Sequence, residues 1–173
     1  MKPVFTFISH DQFVVDVRAL AAAVAADAEE WRPGAIVGVA RGGLAPAVYL
    51  SHALGIAMVS CDMSAEPATL HAGVAGLAQR TQAGERLLFV DDINDSGRTI
   101  GLLRRRLAAE GAGEGAVRFA TLLDNEASTE RVDYRARSID RRVVKDWFVF
   151  PWEALASDAA IAADAAEVPE RIE

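Results

Sequence analysis

Asp91, Asp92 and Asp95 fall close together and are followed at once by Ser96-Gly97-Arg98-Thr99. Adjacent carboxylates accept hydrogen bonds from hydroxyl-rich ligands. They also ligate Mg²⁺, which usually keeps part of its water and shares the rest of its shell between carboxylate and substrate oxygens. A Ser-Gly turn at a helix start presents backbone N–H groups where the helix dipole favours an anion. One stretch therefore provides for sugar hydroxyls and a metal at Asp91 and Asp92, and for a phosphate monoester over Ser96, Gly97, Arg98 and Thr99. Two blander readings compete. The run could be a solvated turn, which is what most Asp-Asp and Asp-Ser-Gly clusters are; the helix start after it argues for the cup. It could be a calcium loop with Asp92, Asn94, Ser96 and Gly97 at the first, third, fifth and sixth positions. The twelfth position is Leu103 instead of Glu and no helix precedes the loop, so that reading fails.

A rigid frame has to carry these side chains. Arg86 to Val90 is strongly apolar and reads as a buried strand, and Thr99 to Glu110 reads as a helix with Ile100, Leu103 and Leu107 on one face and Gly111 as its stop. Upstream, a helix is expected from Ser9 or Asp11 to about Glu30, carrying Phe13, Val17, Leu20 and Val24 on its apolar face. Ala35 to Ala40 forms a second apolar run. Arg41-Gly42-Gly43 then turns into a helix over Leu44 to Leu54, closed by Gly55. Ile56 to Cys61, Val117 to Leu123 and Trp147 to Phe150 read as further strands. Residues 62–82 have mixed polarity and weak periodicity and are expected to form a long mobile loop, with at most a short helix or hairpin. Strands alternating with helices specify an α/β fold with a mainly parallel central sheet flanked by helices. Ligands of such sheets bind at the carboxyl ends of the strands, where the loops after Ala40 and Val90 both lie.

With 173 residues, the chain is read as one domain over 1–173, ending in an acidic, alanine-rich tail over 154–173 that is helical at first and frayed after Pro169. About half the residues are apolar (51%) and the net charge is -7, a balance that excludes a basic surface tracking nucleic acid but leaves small anions possible. Cys61 is the single cysteine, so no internal disulfide can form, and neither it nor His52 or His71 has a partner at nucleophile or metal spacing. A cytoplasmic location is expected, and no apolar stretch reaches membrane-spanning length.

Val90-Asp91-Asp92-Ile93-Asn94-Asp95-Ser96-Gly97-Arg98-Thr99 resembles the motif that binds phosphoribosyl pyrophosphate (PRPP) in type I phosphoribosyltransferases. Val37 to Leu44 resembles the pyrophosphate loop of the bacterial xanthine-guanine members. Trp147-Phe148-Val149-Phe150-Pro151-Trp152-Glu153 resembles their base-binding segment, and the likeness runs over roughly residues 10 to 153.

The resemblance implies a type I phosphoribosyltransferase fold and transfer of a phosphoribosyl group from PRPP to a nucleobase, most naturally a 6-oxopurine. It assigns Asp91 and Asp92 to ribose hydroxyls and Mg²⁺, Asp95 through Thr99 to the 5'-phosphate, and Asp95 also to general-base work at a purine imidazole nitrogen. Arg41 and Gly42 would meet the pyrophosphate. Trp147 would stack on the base, with the backbone around Phe148 reading its edge, inside a base-binding segment of about 123–153. A mobile hood over about 62–82 and a homodimer or homotetramer belong to the same expectation. Two departures stand out. Where the family has a lysine that bonds the 6-oxo group, this chain has Asn125, whose amide offers donor and acceptor but no charge, with Lys145 as a possible substitute. The hood has Met63-Ser64 where the family has a Ser-Tyr pair. These departures keep two alternatives open, an enzyme for a different base and a regulator that binds PRPP or nucleotide with little turnover.

Overall fold

The computed structural model describes residues 4–166, so the part of the tail expected to fray after Pro169 lies outside the described residues. The elements in chain order are β1 (Phe5–Phe7), α1 (His10–Ala26), β2 (Ala35–Val39), α2 (Ala40–Leu54), β3 (Met58–Cys61), α3 (Pro67–Gln82) and β4 (Leu87–Asn94). There follow α4 (Arg98–Ala109), β5 (Val117–Asn125), β6 (Tyr134–Ile139), β7 (Trp147–Val149), a 3₁₀ turn (Pro151–Glu153) and α5 (Asp158–Ala166).

Five strands form one fully parallel sheet in the order β3-β2-β4-β5-β6, as the alternation of strands and helices predicts. Alternate residues of the central strands feed two separate cores. Ile36, Leu88, Val90, Ala120 and Leu122 face α1 and α2, where they meet Phe13, Val17, Leu20 and Leu50. Ala35, Val37, Leu87, Phe89 and Phe119 face α3 and α4, against Val74, Leu77, Ile100 and Leu103. Each fully buried Val, Leu, Ile or Phe among them contributes roughly 1.5–3 kcal/mol relative to exposure, so the sheet is held from both sides. A second, two-stranded parallel sheet joins β1 to β7 with Phe5 opposite Trp147 and Thr6 opposite Phe148. It fixes the segment that carries the tryptophan.

Three expectations need correcting. Residues 67–82 are not a mobile loop: they form the four-turn helix α3, with Leu70, Val74, Leu77, Ala78 and Thr81 buried along one stripe. The exposed Gly73 and Gly76 lower the helix propensity of this segment in the sequence, and Pro67 supplies the helix start. Only residues 62–66 remain outside regular structure between β3 and α3. Arg41-Gly42-Gly43 is not a separate turn, because α2 begins at Ala40, directly after β2. Ala40 takes φ +49°, a left-handed conformation that costs a residue with a Cβ about 1–2 kcal/mol and that clusters at functional sites. Strand β6 was not expected, since the charged Arg135 and Arg137 obscure its period; it is an edge strand, and Arg137 reaches back to pair with the buried Asp16 of α1 at 2.8 Å.

Candidate active site

All five strands of the main sheet run in one direction, so the ends of β2, β4 and β5 open onto the same edge. At the end of β4 a cavity of about 200 Å³ is lined by an unbroken stretch, Asp91 to Ile100. Its floor is the first turn of α4. Gly97 enters that helix at φ +86° with a Cβ position only 2.5 Å from Thr129 Oγ1, so no side chain fits there to cap the helix or fill the cup. Ser96 Oγ accepts from the Arg98 N–H at 3.3 Å, and the Ser96 carbonyl accepts from Thr129 Oγ1 at 2.8 Å.

A buried polar network braces the cup from behind. Asn94 Nδ2 donates to Asp124 Oδ1 at 2.8 Å and to the Glu130 carbonyl at 2.9 Å, while Ser128 Oγ donates to Asn94 Oδ1 at 2.9 Å. Arg104 pairs with Glu130 and donates to the Arg131 carbonyl at 2.7 Å. The loop thus needs little reordering to receive an anion.

A second cavity, about 350 Å³, lies between Ala40, Arg41 and Gly42 on one side and Trp152, Glu153 and Asp164 on the other, with Asp92 shared. Helix α2 can approach this closely only because two side chains are missing. A Cβ on Gly43 would strike the Val90 carbonyl, and one on Gly42 would strike the Asp92 carboxylate. A third cavity, about 200 Å³, is lined by Asp92, Ile93, Arg141, Trp147, Phe148, Phe150 and Glu153. Trp152 is stacked on Phe150 with centroids 4.7 Å apart and meets Phe13 edge-on at 5.4 Å. Glu153 caps the 3₁₀ turn by accepting from the Phe150 N–H at 2.8 Å.

The electrostatics single out the carboxylate pair. Burial first, and then the adjacent Asp92 charge, raise the Asp91 carboxyl well above the usual carboxylate range. Burial, assisted by the negative charge of Glu153, pushes Asp92 up to about 6. Both carboxyls would be relieved by a bound cation. Among the described residues no group of three or more His, Cys, Asp or Glu side chains is placed to enclose a metal. The donor set therefore suits an ion that takes its remaining ligands from substrate and water, and does not suit a protein-only cage. Cys61 is no competing nucleophile, since burial raises its thiol to about 11.

The family profile of the phosphoribosyl transferase domain matches residues 7–157. The chain belongs to this family. It is 32% identical over 124 residues to a xanthine-guanine phosphoribosyltransferase of Idiomarina loihiensis, covering 68% of this chain and 70% of that protein. The crystal structure of a purine phosphoribosyltransferase from Pyrococcus horikoshii superposes with a TM-score of 0.63 at 26% identity, over 88% of this chain and 97% of that one. A Helicobacter pylori xanthine-guanine-hypoxanthine phosphoribosyltransferase gives 0.64 at 20% identity, over 87% and 94%, and shows the shared fold.

Against this phosphoribosyltransferase frame, the predicted residues separate into two groups. Asp91, Asp92, Asp95, Ser96, Gly97, Arg98 and Thr99 line one cavity, Arg41 and Gly42 the second, and Trp147 and Phe148 the third. Asn125 departs from its expected place at the base. It is 5% exposed, and its amide is engaged with main chain: Nδ2 donates to the Asp95 carbonyl at 2.8 Å, and Oδ1 accepts from Ala127 N and Arg141 N, both at 3.1 Å. It braces the site from behind. Lys145 is exposed. The cation in the base cavity is Arg141, whose side chain contacts Asp95 and lies 5.0 Å from the Phe148 ring centroid. In the sequence Arg141 is hidden inside Asp140-Arg141-Arg142, which looks like a solvated charge run. In the folded chain its neighbour Arg142 pairs locally with Asp140, while Arg141 turns the other way onto Asp95.

Among the described residues, no helix is long and apolar enough to cross a membrane.

Proposed function

We propose that this chain transfers the 5-phosphoribosyl group from PRPP to a ring nitrogen of a 6-oxopurine, giving a nucleoside monophosphate and pyrophosphate. The observation that carries the proposal is the position of Asp92, which lines all three cavities at once. A substrate with a phosphate at one end, a leaving group at the other and an incoming base needs three compartments meeting at one sugar, and Asp92 stands at that junction. The relatives' names, xanthine-guanine and purine phosphoribosyltransferase, point to the same class of base.

In this reading the amides of Ser96 to Thr99 hold the 5'-phosphate at the start of α4, and Asp91 and Asp92 accept from the ribose hydroxyls. The pyrophosphate lies along Ala40 to Gly42, where backbone N–H groups and the Arg41 side chain stabilise the departing charge. The base stacks on Trp147 with the backbone around Phe148 at its edge, and its N–H is oriented toward Asp95, which takes the proton as the nitrogen bonds to the anomeric carbon and the bond to pyrophosphate breaks. Asp91 and Asp92 would hold Mg²⁺, which when bound supplies charge neutralisation on the pyrophosphate oxygens. Assembly as a homodimer or homotetramer and a cytoplasmic location complete the proposal and rest on the family alone.

The test is pyrophosphate release with Mg²⁺, PRPP and a panel of bases containing xanthine, guanine, hypoxanthine, adenine and a pyrimidine. Release with an oxopurine and not with adenine is the expected result. A second reading, a PRPP or nucleotide binder with little turnover, is favoured by α3, which leaves only residues 62–66 where a closing hood was expected. Tight nucleotide binding with no release for any base would replace the first reading with the second.

A further inference from the structure

Arg141 is 8% exposed, and a buried guanidinium costs several kcal/mol unless its surroundings repay the lost hydration. Here the repayment comes from several directions. Nη1 donates to the Asp146 carbonyl at 2.6 Å and to the Val144 carbonyl at 3.3 Å. Nε donates to Asp95 Oδ1 at 3.2 Å, and Nη2 lies 3.1 Å from Asp95 Oδ2. The guanidinium carbon sits 5.0 Å from the centre of the Phe148 ring, and the Arg141 main-chain N–H is held by Asn125. Burial lowers the guanidinium to about 10, partly offset by Asp146, so it stays charged at neutral pH. The plane of the guanidinium is therefore set by its own loop, and the Asp95 carboxylate is held against a fixed fork.

The two ends of Asp95 are held by one assembly. Asn125 Nδ2 fixes its carbonyl at 2.8 Å while Arg141 faces both of its carboxylate oxygens, and Asn125 Oδ1 ties the two clamps together. A carboxylate has about four lone-pair sites, so two contacts from Arg141 leave capacity for an N–H from the base. The pair also crosses a boundary, since Asp95 lines the phosphate cup and Arg141 lines the base cavity.

We propose that Arg141 is the positioning residue that aims the Asp95 carboxylate at the incoming base, coupling the β6–β7 loop to the phosphate cup. The inference rests on the phosphoribosyl-transfer reading above and deepens it.

The experiment is a double-mutant cycle read by pyrophosphate release with the preferred oxopurine. Arg141→Met is expected to lower kcat on the order of a hundredfold, the scale of a misdirected general base, with KM for PRPP within about threefold of the parent. Arg141→Lys, which keeps the charge but loses the fork, should recover about a tenth of the lost turnover or more. In an Asp95→Asn background, Arg141→Met should cost less than about threefold further, because its target is already gone. Thermal melting checks that each variant is folded, and Arg141→Gln takes the place of the Met variant in the cycle if that one is not. Multiplying losses in the double mutant, or a rise in KM for the base with kcat intact, would overturn the assignment while leaving the transferase reading in place. A parent chain that releases no pyrophosphate with any base overturns both.

Discussion

The phosphate cup and the base cavity are built in opposite ways. The cup is one unbroken run, Asp91 to Ile100, folded by a strand end and a helix start. The base cavity draws Asp92 and Ile93 from β4, Arg141 from the β6–β7 loop, and Trp147, Phe148, Phe150 and Glu153 from β7 and the turn after it. The first obtains its geometry from local backbone rules. The second exists only because β1 pairs with β7 and Arg141 folds back onto Asp95. A site coded in one run keeps its ligand chemistry as long as the run is intact, whereas a site assembled from separated segments can change its ligand by altering any one of them.

Mutations test how independent the two regions are. The largest effect is expected at Asp95, which belongs to the cup by position and to the base by chemistry. Asp95→Asn should lower kcat by about 10²- to 10⁴-fold, the usual range for a lost general base, with PRPP affinity from a binding titration nearly unchanged. Equal turnover of the variant and parent would remove Asp95 from the chemistry. Next comes Gly42→Ala, whose new methyl would displace the Asp92 carboxylate. Overpacking of this kind costs about 1–3 kcal/mol, so kcat/KM should fall on the order of tenfold to a hundredfold, accompanied by weaker pyrophosphate inhibition. Trp147→Ala should confine its damage to the other region. Loss of a stacked base costs about 1–3 kcal/mol, and the expected outcome is a rise of roughly tenfold in KM for the base with KM for PRPP unaffected. If KM for PRPP rises in parallel, the two regions are not separable.

The smallest effect concerns stability. Asp91 and Asp92 titrate higher in the folded chain than in the unfolded one, so the native state binds more protons as pH rises from about 4 through about 6 and loses stability over that window. The melting temperature should therefore be a few degrees higher near about pH 5 than near about pH 7, and Asp92→Asn should flatten that difference. Adding Mg²⁺ near about pH 7 should recover stability if the pair holds the ion. A melting curve indifferent to both pH and Mg²⁺ would argue against the carboxylate pair as the metal site.

How far the sequence could be read follows the same division. The central strands were legible because β2 and the first half of β4, Leu87 to Val90, are continuous apolar runs, and the cup because its carboxylates, Ser96-Gly97 and the helix start lie side by side. Helix α3 was not legible, since the exposed Gly73 and Gly76 lower its helix propensity and its buried stripe, which ends on the polar Thr81, takes its meaning from the sheet face it covers. Strand β6 was hidden by arginines that are satisfied only across space, such as Arg137 on Asp16. Asn125 was placed at the base by its position just after the apolar run Val117 to Leu123; it is the last residue of β5. Its actual partners, the Asp95 carbonyl and the N–H groups of Ala127 and Arg141, include two that only the folded chain brings near.

The three tryptophans divide across the sheet in a useful way. Trp147 and Trp152 border the cavities, whereas Trp31 is 4% exposed, bonded to the Gly115 carbonyl and covered by Arg118 near the start of β5, away from the ligand edge. Two indoles thus sense whatever enters and the third serves as an internal standard, so intrinsic emission can follow binding without any label.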